Sequence, residues 1–159
     1  MKAPSGILGL NLEKNKTGLP VLSPAIKYHG HTEPLAVSIC VCTYRRAHLL
    51  PLLLDSLAKQ SFSERFEVIV VDNDKMASAA KVVEAGKKRH PDLNIQYTVE
   101  VKKGISFARN TAALLATGNF LAWIDDDETA GENWLISLWI SRSINDADAV
   151  FGPVIPVFP

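Results

Sequence analysis

Four consecutive acids, Asp125, Asp126, Asp127 and Glu128, follow directly on the mostly apolar run FLAWI. Side chains of an extended segment alternate with period two. Asp125 and Asp127 are therefore expected on one side and Asp126 on the other. Two carboxylates on one side repel each other unless a cation sits between them. A hard divalent ion such as Mg²⁺ or Mn²⁺ suits such a pair, because it takes one or two carboxylates and completes its shell with substrate phosphates. The Asp-x-Asp spacing thus points to a metal–diphosphate site with Asp125 and Asp127 as ligands. The plainer alternative is a solvated acidic turn before a helix N-terminus, where negative charge is mildly favourable. Glu128 is assigned to that turn.

Other polar residues stand at comparable places. Thr43, Tyr44 and Arg45 follow the run VSICVC, and Asp72, Asn73 and Asp74 follow FEVIVV. Asp72 can accept hydrogen bonds from a base or ribose, or it can belong to an ordinary strand-terminating turn. In KKGISFARN, Gly104 would let a ligand approach the backbone. Arg109 would neutralise phosphate, brace the acids, or simply be solvated. Lys102 and Lys103 are read as solvated charges, Trp123 as core rather than a stacking platform, and Trp134 and Trp139 as core or interface residues. The four histidines (29, 31, 48 and 90) share no ligand spacing.

These groups need a scaffold that brings distant strand ends together. The alternation of apolar runs supplies one. AVSICVCT, FEVIVVDND, LNIQYTVE and NFLAWIDDD read as strands. HLLPLLLDSLAKQ, KMASAAKVVEAGKKRH and ISFARNTAALLAT read as the helices between them. Pro51 suits a first helical turn, and Gly118 suits the stop after the third helix. Thr129 and Glu132 have the spacing of a capping box for a fourth helix reaching about Ser143. DAVFGPV reads as a further strand. Strand–helix alternation of this kind predicts a mostly parallel sheet with helices on both faces. Ligands of such sheets bind beyond the carboxyl ends of the strands, so all three polar clusters should meet at one edge.

Residues 1–35 differ. Pro4, Pro20, Pro24 and Pro34 interrupt them and no period persists, which predicts an irregular lead-in to a domain over 36–159. Across the 159 residues, 17 basic and 17 acidic side chains cancel. That balance gives no reason to expect a nucleic-acid partner. Cys40 and Cys42 stand too close to bridge and match no metal or redox spacing. A reducing, cytoplasmic setting is expected. No apolar run reaches the ~18 residues of a membrane span.

The ordered series VSICVCTYRR, SLAKQSF, FEVIVVDND, GISFARN, GNFLAWIDDDE and ENWL resembles the family 2 glycosyltransferases of the GT-A fold. Within that family it is similar to bacterial exopolysaccharide enzymes of the succinoglycan-glucosyltransferase type. The resemblance covers about residues 36–159. It implies an α/β, Rossmann-like domain, C-terminally incomplete. It also implies a UDP-sugar donor, with UDP-glucose the candidate, and inverting transfer to a polysaccharide or lipid-linked saccharide acceptor with Mn²⁺ or Mg²⁺. Peripheral contact with the cytoplasmic face of the inner membrane is a further expectation, and apolar surface left exposed by a short sheet would favour self-association. By position, Thr43, Tyr44 and Arg45 would line the nucleotide pocket, and Asp72 would meet the uracil or ribose. Arg109 would stand near the nucleotide, and Asp125 would meet the ribose or a metal-bound water. Asp127 would hold the metal, with Asp126 the less defined middle member.

The family's catalytic base lies beyond the strand that resembles FGPVIPV, so it is expected past Pro159. The chain as it stands is expected to be the nucleotide-binding half of a longer domain. Two other readings remain open here. One is a nucleotide-sugar-binding module without catalysis. The other is a haloacid-dehalogenase-type phosphatase, whose D-x-D-x-T pattern would make Asp125 a nucleophile, although those domains carry it on their first strand.

Overall fold

A computed structural model of the chain describes residues 12–14, 20–22 and 35–156. Most of the expected irregular lead-in lies outside these residues. Within it, β1 (Leu12–Lys14) pairs antiparallel with β2 (Pro20–Leu22), Leu12 standing opposite Leu22. The sequence offered no strand period there. This pair belongs to a separate compact unit over residues 1–30.

The larger unit is an alternating α/β array. Its elements are β3 (Val37–Thr43), α1 (Leu50–Leu57), β4 (Phe66–Asp72), α2 (Ala80–Arg89) and β5 (Ile95–Val99). They continue with α3 (Ile105–Leu115), β6 (Phe120–Trp123) and α4 (Trp134–Asn145). The four strands form one sheet in the order β5-β4-β3-β6, and every neighbouring pair is parallel. From β3 the chain steps outward to β4 and β5, then returns through α3 to β6 on the other side of β3. Right-handed crossovers in opposite directions place their helices on opposite faces. The core divides accordingly. Ile39, Val41, Val68 and Val70 pack with Leu50, Leu53, Leu54, Leu57, Val83, Leu135 and Ile136. On the other face Cys40, Cys42, Ile69 and Val71 pack with Ala108 and Ala112. The parallel sheet with helices on both faces matches the architecture read from the sequence. The reversal of direction at β3 creates a switch point between the carboxyl ends of β3 and β6, where such sheets bind ligands.

Three local expectations need correction. DAVFGPV forms no strand; residues 147–156 lack helix and strand structure. Thr129 and Glu132 do not cap α4, which starts later, after Asn133, without a side-chain cap. Gln60 at the end of α1 does that work instead. Its Oε1 accepts from Leu135 N at 2.9 Å, and its Nε2 donates to Gly131 O at 2.8 Å. A tertiary contact thus satisfies the helix end that a local box would have satisfied. Gly118 is not the stop of α3 either, since the helix ends with Ala116 in an extended conformation. Gly118 is needed for close approach: a Cβ there would lie 2.6 Å from Ser38 N.

The amino ends of the strands are tied by a buried carboxylate. Glu67 accepts from Ser38 Oγ at 2.6 Å, Thr117 Oγ1 at 2.7 Å, Thr117 N at 2.9 Å and Gln96 Nε2 at 2.5 Å. This network joins β3, β4, β5 and the α3–β6 link. It leaves the carboxyl ends free for the site.

Candidate functional site

The site begins with a turn. After β3, Arg45 adopts the left-handed conformation (φ 56°) that a β-carbon disfavours. The turn sends two adjacent arginines to different strands. Arg45 Nε donates to Asp74 Oδ2 at 3.2 Å, beyond β4. Arg46 reaches past β6, where Nε donates to Asp126 Oδ2 at 3.2 Å and Nη2 to Asp126 Oδ1. Its third nitrogen, Nη1, donates to Asp127 Oδ2 at 3.0 Å. Burial works against the Arg46 charge, but Asp126, Asp127 and Asp125 outweigh it and raise its pKa above the ordinary arginine value. The Asp74 carboxyl is held below its usual range by Met76 N–H, despite burial, and by Arg45.

The acids sit as an extended run would place them. Pairing of β6 with β3 ends at Trp123, earlier than the sequence suggested, yet burial alternates residue by residue from Leu121 to Asp127. Asp126 is completely buried, whereas the side chains of Asp125 and Asp127 are 61% and 51% exposed. Asp125 stands 3.6 Å from Arg109 Nη2. Arg109 also lies 5.9 Å from the centre of the Trp123 ring. Trp123 is therefore half-exposed rather than core, a correction that follows from its place on the edge strand. Glu128 belongs to the turn, its Oε2 accepting from Asp125 N at 2.9 Å.

A cleft of about 420 Å³ opens beside this cluster, lined by Cys42, Thr43, Tyr44, Arg46, Asn73, Lys103, Gly104, Ile105 and Ala108. That volume suits a small ligand. Thr43 is buried and its Oγ1 has no hydrogen-bond partner among the described residues. An unpaired buried hydroxyl is costly unless a ligand or water completes it. Tyr44 is flanked by two cations, with the Arg45 guanidinium and the Lys103 ammonium each 5.2 Å from its ring centre. Lys103 is exposed, as the sequence suggested, and also lines the cleft. Cys42 lines the cleft as a protonated thiol, since burial pushes its pKa up to about 11.

Asp72 does not line the cleft. It is completely buried. Its Oδ1 accepts from Asp74 N at 3.0 Å, and its Oδ2 accepts from Ala79 N at 2.7 Å and Tyr97 Oη at 3.0 Å. Its role is to shape the loop before α2. The next residue, Asn73, lines the cleft. Asn73 Oδ1 accepts from Gly104 N at 2.7 Å, and its Nδ2 donates to Lys102 O at 2.7 Å. Asn73 so fixes the loop that carries Lys103 into α3. Gly104 turns this loop at φ 143°, which favours glycine.

Sequence reading did not single out Arg46, gave Asn73 no role beyond its place in a polar strand end, and gave Lys103 none in the site. A signal existed for Asn73: Asp72 shares the strand face of Val68 and Val70, which is core. For Arg46 the deciding feature is the backbone turn at Arg45, which no spacing announces. The phosphatase reading loses its footing, because Asp125 follows the last strand of the sheet in chain order rather than the first.

The donor set fits a divalent ion of the kind the acids suggested. Asp125 and Asp127 offer exposed oxygen ligands. Among the described residues no three acid, thiol or imidazole groups converge into a ready-made metal site. An ion that completes its shell with ligand phosphates needs only such a partial set.

Residues 38–159 match the family described as glycosyl transferase family 2. The succinoglycan biosynthesis protein ExoM of Rhizobium meliloti is 43% identical over 124 residues, which is 77% of this chain and 40% of that protein. S. aureus TarS 1–349 in complex with UDP superposes with a TM-score of 0.64 and 28% identity, covering 77% of this chain and 38% of that one. The mannosyltransferase PcManGT from Pyrobaculum calidifontis, in complex with GDP-Man and Mn²⁺, gives a TM-score of 0.56 and 29% identity, over 68% and 32% of the two chains. The chain spans about two fifths of the length of the curated relative ExoM. With its parallel GT-A sheet and this extent of likeness, the chain belongs to glycosyl transferase family 2.

Proposed function

We propose that this domain binds a UDP-sugar in the cleft beyond β3 and serves inverting transfer of the sugar to a saccharide or lipid-linked saccharide acceptor. One observation carries the reading: the ends of β3 and β4 and the loop before α3 line a cleft in which the buried Thr43 hydroxyl lacks a partner among the described residues. Tyr44 provides a ring face for the base, and Asn73 and the Gly104 backbone provide the cleft wall beside it. Lys103 and Arg46 place positive charge where a diphosphate would lie. UDP bound in TarS and GDP-Man with Mn²⁺ in PcManGT are consistent with such a donor site.

Asp125 and Asp127 would hold a divalent ion, Mn²⁺ or Mg²⁺. Such an ion takes up negative charge on a departing diphosphate. Arg109 orients Asp125 for that task. The setting proposed is cytoplasmic, consistent with two buried unpaired thiols, Cys40 and Cys42. Competition among nucleoside diphosphates tests the donor class. UDP should displace a fluorescent UDP analogue at lower concentration than GDP or ADP. Equal displacement by all three would overturn the assignment of a uridine donor.

A further inference from the structure

Arg46 lines the cleft and also pairs with the acidic turn. Its two attachments differ in environment. Nε and Nη2 grip Asp126, which is fully buried. Nη1 holds Asp127, whose side chain is half-exposed, at 3.0 Å. Removing the partner of a buried charge is strongly destabilising, whereas an exposed ion pair contributes little. The grip on Asp126 is therefore the permanent one, and the contact with Asp127 is exchangeable.

Asp127 is also the carboxylate assigned to the divalent ion. Nη1 holds only Oδ2 of Asp127, so the second oxygen stays open to a metal, and the two cations compete by repulsion across one carboxylate. A diphosphate in the cleft would change the balance. It offers Nη1 a phosphate oxygen, a stronger charge-assisted partner, and it adds negative charge that favours the ion. We propose that Arg46 is the resting counter-ion of Asp127. Its charge weakens metal binding at Asp127 until a nucleotide diphosphate draws it away, so that nucleotide favours metal loading. The proposal rests on the nucleotide–metal reading above. By linkage, the metal should favour nucleotide as much as nucleotide favours metal.

The test is Mn²⁺ titration followed by the spin-resonance signal of free Mn²⁺, with and without saturating UDP. Arg46→Gln alone leaves Asp126 buried without its partner and risks unfolding. Both proteins compared therefore carry Asp126→Asn, one with Arg46 intact and the other with Arg46→Gln added. Without nucleotide, the double variant should bind Mn²⁺ about fivefold more tightly than Asp126→Asn alone, the equivalent of one exposed ion pair. The gain in Mn²⁺ affinity on adding UDP should shrink in the same variant. Suppose instead that the double variant binds Mn²⁺ no more tightly while the wild type still binds it in the presence of UDP. Arg46 would then not compete for Asp127, and the nucleotide–metal reading would stand without this device. A wild type that takes up no Mn²⁺ even with UDP would overturn both.

Discussion

Arg46 and Asp126 meet side-on, with two guanidinium nitrogens against the two carboxylate oxygens of a residue that has no solvent exposure. Asp126 thus stands at a strand end yet is fully buried. Arg46→Ala should lower the unfolding free energy by about 3–5 kcal/mol, the usual result of stranding a buried charge. Asp127→Ala, at an exposed position, should change it by less than about 1 kcal/mol. Urea unfolding of the two variants separates these cases; equal losses would mean that the buried pair contributes little.

Glu67 predicts an acid limb in stability. Burial raises its pKa, but hydrogen bonds from Ser38, Thr117 and Gln96 outweigh this and leave it below the ordinary 4.5. A carboxylate with a depressed folded pKa contributes fully above its unfolded value. That contribution disappears as pH falls through the folded value. Stability should therefore decline below about pH 4.5. Glu67→Gln turns an acceptor into a donor facing other donors, and should cost about 1–3 kcal/mol at neutral pH. It should also flatten the Glu67 part of the acid limb. Unfolding curves measured across the acid range would show an unchanged limb in the variant if Glu67 were not responsible.

Gly118→Ala should destabilise by about 1–3 kcal/mol through overpacking. The new methyl would lie 2.6 Å from both Ser38 N and the Val37 carbonyl carbon, backbone atoms of a central strand that cannot move aside. Thermal unfolding checks this. A variant as stable as the wild type would show that the α3–β6 link relaxes freely.

The two thiols should be silent in the folded protein. Burial raises Cys40 to about 12 and Cys42 to about 11. The thiolate is the reactive form, so a disulfide reagent at about pH 8 should react slowly with the native chain and label both cysteines in denaturant. Fast labelling of one thiol, suppressed by UDP, would place Cys42 in a more open cleft than described.

The sheet was legible because its strands are nearly continuous apolar runs and its helices carry apolar stripes, signals that depend on burial alone. The gathering of Thr43, Asp74 and Asp127 at one edge followed from connectivity. Finer assignments depended on tertiary partners. Thr129 and Glu132 had the spacing of a cap, but Gln60 from the turn after α1 reached the α4 terminus first. Arg45 and Arg46 are indistinguishable by type and differ by one position. A left-handed backbone at Arg45 decides which of them meets the acids. Asp72 looked like a ligand because it ends a strand. The loop before α2 consumes both its oxygens and leaves Asn73 to face the cleft.

Calorimetric titration of UDP, in Mn²⁺ and then in EDTA, tests the metal–diphosphate site most directly. Binding should be measurable in Mn²⁺ and weaken in EDTA. Asp127→Ala should lose a contact with a charged group worth roughly 1.5–3 kcal/mol in Mn²⁺ and little in EDTA. Equal heats in both buffers, or an Asp127→Ala variant that binds as the wild type does, would contradict a metal–diphosphate site at the end of β6.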